Sequence, residues 1–170
     1  GPLAVTGSRD GNAIVWDLTS GTRLHTLTGH TDVVYTVATA QSPRGPLAVT
    51  GSFDGDAIVW DLTSGTRLHT LTGHTDWVSE VATLQTPHGP LAVTGAADSS
   101  AIVWDLTRGD EVSRCHLPNG GSHVAVIEAG FIVAYEAEVA YYMWPRGNRT
   151  GHDNGRHGST YGHDQIAAAP

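Results

Sequence analysis

Residues Val49–Asp61 read VTGSFDGDAIVWD. The stretch recurs as VTGSRDGNAIVWD at Val5–Asp17 and as VTGAADSSAIVWD at Val93–Asp105, each copy starting 44 residues after the one before. A fixed period of this size marks a repeat architecture, in which one small unit cannot bury its apolar surface alone and stacks on its neighbours. Within the stretch, Asp54-Gly55 is a turn signal between two apolar runs, Leu47–Thr50 and Ala57–Trp60, and predicts a β-hairpin. The runs are continuous rather than alternating, so both faces of each strand are expected to be buried. A small sheet covered on both sides by sheets like itself is a blade in a stack.

The rest of the 44-residue unit agrees. Residues 1–44 and 45–88 differ at only eight positions. Asp61-Leu62-Thr63-Ser64-Gly65 is a second turn signal. Thr66–Leu71 then alternates and predicts an outer, half-exposed strand, Gly73–Asp76 a loop, and Val78–Thr83 a further strand. Four short strands per unit make an antiparallel meander.

Gly29-His30 followed by Trp60-Asp61, and Gly73-His74 followed by Trp104-Asp105, resemble at this period the WD40 β-propeller repeat. The resemblance implies an all-β chain, a partial WD40-type propeller of about three and a half four-stranded antiparallel blades. The expected division is a partial blade at 1–28, full blades at 29–72 and 73–116, a degenerate blade at 117–144 and a disordered Gly/His-rich tail at 145–170. In the degenerate part Pro118–Gly121 replaces the Gly-His loop, and Trp144-Pro145 stands in the Trp-Asp slot. Closed propellers use about 4–8 blades, so the chain is expected to be a piece of a larger bacterial WD40 protein. The resemblance also implies buried hydrogen-bonded tetrads: His30, Thr50, Asp54 and Trp60 in one unit, His74, Thr94, Asp98 and Trp104 in the next. Thr6, Asp10 and Trp16 form an incomplete set without a histidine. His, Asp and a hydroxyl together also suggest nucleophilic catalysis. A catalytic constellation is built once, however, and this one recurs with the repeat, so a structural role is the expectation and no catalytic residue is assigned.

Charge narrows the partner. The repeats carry 15 acidic residues and 6 arginines, and the whole chain has a formal net charge of -8. An acidic body lacks the basic stripe that a nucleic acid requires and suits a basic protein or peptide. Lysine is absent and Arg, Ala, Gly, Val and Thr dominate, the composition of a GC-rich bacterial gene. No apolar run reaches the roughly 18 residues of a membrane span, and no leader peptide is visible, so a cytoplasmic location without membrane contact is expected. Cys115 stands alone and excludes an internal disulfide. His152, His157 and His163 with Asp153 and Asp164 lack the spacing of a structural zinc site, so neither a metal nor a cofactor is expected.

These features predict a non-catalytic protein–protein interaction scaffold, or the propeller module of a larger signalling or effector enzyme. The differences between copies suggest where it binds. Five of the eight fall at one end of the blade: Arg9 against Phe53, Asn12 against Asp56, Val33 against Trp77, Tyr35 against Ser79, and Thr36 against Glu80. Two copies this alike share one folding task, so their differences mark positions the fold leaves free. Arg, Tyr, Phe and Trp in exposed loops are the residue types of interface anchors. The expected partner-binding set is Arg9, Val33, Tyr35, Phe53, Trp77, Ser79 and Ala97, with Asp32, Asp56, Asp76 and Glu80 around it. Open blade edges and faces are expected to allow self-association.

Overall fold

The computed structural model describes residues 1–116 and, beyond them, the backbone of three strands at 123–127, 130–135 and 138–143. The expectations for Pro118–Gly121, for Trp144-Pro145 and for the tail lie outside the described residues. Among the described residues there is no helix.

Four antiparallel sheets follow in chain order. β1 (Leu3–Gly7), β2 (Asn12–Asp17) and β3 (Thr22–Thr28) form the first; β4 (Val34–Ser42), β5 (Gly45–Ser52), β6 (Ala57–Asp61) and β7 (Thr66–Leu71) the second. β8 (Val78–Thr86), β9 (Gly89–Ala96), β10 (Ser100–Asp105) and β11 (Asp110–His116) form the third. β12 (His123–Ile127), β13 (Gly130–Tyr135) and β14 (Glu138–Met143) form the fourth. Every strand pairs with its sequence neighbour within the sheet, so each unit is a meander. Adjacent sheets meet most closely along one side, where β4 lies beside β8 and β8 beside β12.

The core lies between sheets, and strand alternation explains why. In β5 and β6 the residues Leu47, Val49, Ala57 and Val59 point to one face and pack with Val78, Val81, Ile102, Trp104 and Leu106 of the third sheet. Ala48, Ile58, Trp60 and Leu62 point to the other and pack with Ala13, Val15 and Leu27 of the first. A blade of two-residue period thus buries one side chain set in each direction, which is why its central strands read as unbroken apolar runs.

The first sheet departs from that expectation. Ala48, Thr50, Ile58, Trp60 and Leu62 are all buried, whereas their counterparts Ala4, Thr6, Ile14, Trp16 and Leu18 are half-buried or exposed. Leu18 is 57% exposed where Leu62 is 2% and Leu106 1%. The sequence is the same; what differs is that no described sheet covers this face of the first one.

Two sets of bulges also correct the plain alternation read from the sequence. On the far strands, Trp60 pairs with Arg67 and Val59 with His69, so Leu68 is the extra residue and stays 45% exposed. Leu24 and Val112 occupy the same place in β3 and β11. A bulge disrupts the ladder and blunts an edge strand against further pairing. The second set lies in β4 and β8. Val34 pairs with Ser52 and Thr36 with Gly51, leaving Tyr35 as the extra residue; Ser79 is its counterpart in β8.

Candidate functional site

The hairpin turn between β5 and β6 holds two neighbours of opposite character, Phe53 and Asp54. Gly55 supplies the positive φ of 88° that this turn requires. Asp54 points inward. Its Oδ1 accepts the Asp56 amide at 3.0 Å, and its Oδ2 accepts the Thr31 amide at 2.9 Å and faces His30 Nδ1 at 3.0 Å. His30 Nε2 lies 2.8 Å from Thr50 Oγ1, and the Trp60 indole N–H donates to the same hydroxyl at 2.9 Å. The four residues named from the sequence are therefore one chain of bonds running from the loop before β4 to the centre of the sheet.

The third sheet repeats the chain. His74 Nδ1 faces Asp98 Oδ2 at 3.1 Å, His74 Nε2 faces Thr94 Oγ1 at 2.7 Å, and Trp104 Nε1 donates to Thr94 Oγ1 at 2.9 Å. Ser100 joins it, donating to Asp98 Oδ1 at 2.7 Å and lying 3.0 Å from His74 Nδ1. Sequence reasoning missed Ser100, although it stands where Asp56 and Asn12 stand in the other copies. The first sheet keeps only Trp16 Nε1 donating to Thr6 Oγ1 at 3.0 Å, and Asp10 accepting the Asn12 amide at 3.0 Å.

Electrostatics fixes the protonation of the lock. Burial pushes the His74 imidazole below its usual 6.5, outweighing the support of Asp98. A neutral ring with its proton on Nδ1 donates to Asp98 and accepts from the Thr94 hydroxyl, which satisfies every group. Burial pushes the Asp98 carboxyl up, but the Ser100 hydroxyl, the Thr75 amide and His74 together hold it below 3.8. Asp54 is likewise held below 3.8, burial being outweighed by the Thr31 and Asp56 amides and by His30. The Thr50 and Thr94 side chains are fully buried and already bonded on both sides. This arrangement holds a loop in place; it offers no hydroxyl to a substrate.

The Asp of each Trp-Asp pair has a separate task. Asp61 Oδ1 accepts the Thr63 amide at 2.8 Å and the Asp61 carbonyl accepts the Gly65 amide at 2.8 Å, which shapes the turn before β7. That turn also contacts the preceding sheet, an inter-blade contact the sequence reading did not include. His25 Nε2 lies 3.2 Å from the Thr63 carbonyl, and a Cβ on Gly65 would come within 2.6 Å of the His25 ring. His69, Thr107 and Gly109 repeat the arrangement one unit on.

Phe53 points outward, and around it the residues expected from the sequence to meet a partner converge in part. The rings of Tyr35, Phe53 and Trp77 touch one another, with centroids 5.3 Å apart for Tyr35–Phe53, 5.2 Å for Tyr35–Trp77 and 4.8 Å for Phe53–Trp77. Tyr35 is 57% and Phe53 42% exposed. Tyr35 projects there because it is the bulge residue of β4; the backbone is tied beneath by the Phe53 amide donating to the Val33 carbonyl at 3.0 Å. Arg9 and Ala97 are exposed at the place of Phe53 in the first and third units. Val33 is half-buried, and the Ser79 hydroxyl is turned into its own sheet, donating to the Gly95 carbonyl at 3.2 Å. Among the described residues no three His, Cys, Asp or Glu side chains come together as a metal site.

Comparison with known proteins agrees with this geometry. The family model of the WD domain, G-beta repeat, matches residues 21–61 and 65–105. The chain belongs to the WD40 repeat family. Its WD40 units are similar to part of dynein assembly factor with WD repeat domains 1 from Mus musculus, 53% identical over 38 residues, and from Danio rerio, 50% over 38 residues. Those 38 residues are 22% of this chain and 9% of each relative. The chain thus spans about a tenth of the length of the curated relatives it matches. Among solved structures, the computationally designed Ika4 protein superposes with a TM-score of 0.74 over 84% of this chain and 86% of its own, at 23% identity. That likeness concerns the WD40 fold alone.

Proposed function

We propose that this WD40 chain is a non-catalytic scaffold that binds a protein or peptide on the face carrying the β5–β6 turn. The observation that carries the reading is the cluster of Tyr35, Phe53 and Trp77, three rings in mutual contact with two of them exposed. Exposed large aromatics have little reason to gather unless something covers them. The partner is basic, drawn by a chain of net charge -8. The setting is the cytoplasm of a bacterium, and neither nucleic acid nor membrane takes part. The test is affinity enrichment from the source organism with the wild-type chain, Phe53→Ala, and the Tyr35→Ala/Phe53→Ala double variant. Loss of one specific protein at unchanged melting temperature supports the reading, and retention of every protein by the double variant ends it.

A second mode of association is favoured by a separate observation. The face of Ala4, Ile14, Trp16 and Leu18 is the counterpart of one that is buried at both internal junctions. Another blade of the same kind fits it, so the chain self-associates or continues into further blades of a larger signalling or effector protein. A 170-residue chain that stays monomeric and binds no apolar dye at tens of micromolar refutes the uncovered-face argument.

A further inference from the structure

The loops beside the three rings carry aspartates, and Asp32 and Asp76 are in no ion pair among the described residues. The Asp32 loop is bonded to the Phe53 turn and the Asp76 loop lies against it: Ser52 Oγ donates to the Asp32 carbonyl at 3.2 Å, and a Cβ on Gly55 would sit 3.6 Å from the Asp76 carbonyl. Asp76 immediately precedes Trp77, and Asp56 closes the turn that Phe53 opens. Asp32 and Asp76 each place one carboxylate oxygen on the amide that follows, at 2.7 and 2.8 Å, and the Asp56 carboxylate bonds to nothing among the described residues. Arg108 pairs with Asp105 and Arg114 with Glu111, away from these loops. Arg9, an exposed cation, belongs to the first sheet and stands where Phe53 stands one unit later.

The ring geometry selects among cations. Centroids 4.8 to 5.3 Å apart leave no space between rings for an ammonium group to be enclosed, so the cluster is a platform rather than a cage. A planar guanidinium lies flat on such a platform and presents its N–H edge sideways to carboxylates as a bidentate fork, whereas an ammonium has neither a flat face nor a fork. A purely apolar or proline-rich segment would leave the Asp32 and Asp76 carboxylates beside an uncharged ligand, with their hydration partly stripped and nothing in return.

We propose that the platform recognises arginine: a partner's guanidinium stacks on Tyr35 and Phe53 and donates to the free carboxylate oxygens of Asp32 and Asp76. The proposal rests on the scaffold reading above and adds the chemistry of the contact. It is tested by NMR titration of the isotope-labelled full chain with four acetylated octapeptides. They are identical except at two central positions, which are arginine, citrulline, lysine or leucine. The arginine peptide is expected to move the Trp77 indole signal and to bind roughly three- to thirty-fold more tightly than the citrulline peptide, the range of a cation–π contact. Phe53→Ala is expected to remove most of that difference, and Asp76→Asn to weaken arginine binding and flatten its salt dependence. The proposal is overturned by citrulline or leucine binding as well as arginine, by lysine binding as well as arginine, by no peptide moving Trp77, or by arginine binding that survives Phe53→Ala. If the leucine peptide binds as well as arginine and Phe53→Ala abolishes it, arginine recognition fails while the scaffold reading stands.

Discussion

Replacing Thr50 by valine removes one hydroxyl and almost no volume, so no cavity confuses the result. The Thr50 hydroxyl accepts from Trp60 Nε1 at 2.9 Å and lies 2.8 Å from His30 Nε2. Trp60 is 2% exposed and the His30 side chain 1%, so water does not replace either bond without opening the junction with the first sheet. A stranded buried polar group costs about 1–3 kcal/mol. Two such groups, with the 29–32 loop free to relax around one of them, give an expected loss of about 2–4 kcal/mol. Thr6→Val makes the same chemical change in the first sheet. Thr6 is exposed and its bond to Trp16 lies on the uncovered face, so water substitutes and the loss is below about 0.5 kcal/mol. Thr50→Ser keeps the hydroxyl and forfeits one methyl group, about 0.8 kcal/mol. The assay is urea unfolding of the full chain followed by tryptophan fluorescence. Equal losses for Thr50→Val and Thr6→Val, or a Thr50→Val loss no larger than that of Thr50→Ser, refute the claim that burial between sheets gives the tetrad its strength.

Acid should weaken the fold in two steps. His74 is held below 6.5 in the folded chain, so the unfolded chain takes up a proton that the native state refuses, and stability falls as pH drops through and below 6.5. Asp54 and Asp98 are held below 3.8, so their contribution is complete above that value and is lost as pH falls below it; a urea midpoint that rises between pH 8 and pH 5 contradicts the sign for His74. Ser99 adopts a φ of 63° where the other copies carry Gly11 and Gly55, so Ser99→Gly should raise the melting temperature by a few degrees, the relief of about 1 kcal/mol of backbone strain. A lower melting temperature for this variant would show the serine to be fixed by something other than its backbone. Leu18→Glu, on the uncovered face, should reduce self-association seen by light scattering with little effect on the urea midpoint, and an unchanged association state refutes the role of that face.

The repeat and the meander were legible because each follows from spacing, and the members of both tetrads because the units resemble the WD40 repeat. A turn residue pair between two apolar runs has one local solution, and 44 residues carry it to the next copy. Burial was not legible in the same way. Trp16 and Trp60 sit in identical local sequence, and only the presence of a neighbouring sheet makes one half-buried and the other buried. The bulges escaped for a related reason: Leu68 fits an alternating strand by its letters, and the extra residue is decided by pairing with β6. The aromatic cluster was half legible. Differences between copies pointed to positions 35, 53 and 77, but that three rings drawn from two units touch is a result of how sheets pack.

The lock and the exposed ring occupy consecutive residues, and that placement has a physical consequence. Asp54 is fixed through two backbone amides and His30, and the Phe53 amide is fixed on the Val33 carbonyl. The backbone beneath the ring is therefore ordered before any partner arrives. Ordering a flexible loop on binding would subtract from affinity, whereas a ring carried on a pinned turn gives up little more than its own rotamers. Position 53 and its counterparts hold Phe, Arg and Ala, while the adjacent position holds Asp in all three copies. The turn thus separates two tasks: the inward residue secures the geometry, and the outward one is left free by the fold, which under the proposed function lets it set what is recognised. Under the proposed reading, such a scaffold would change specificity one side chain at a time at little expense in stability, with the difference at position 53 lying beside a carboxylate repeated in all three copies.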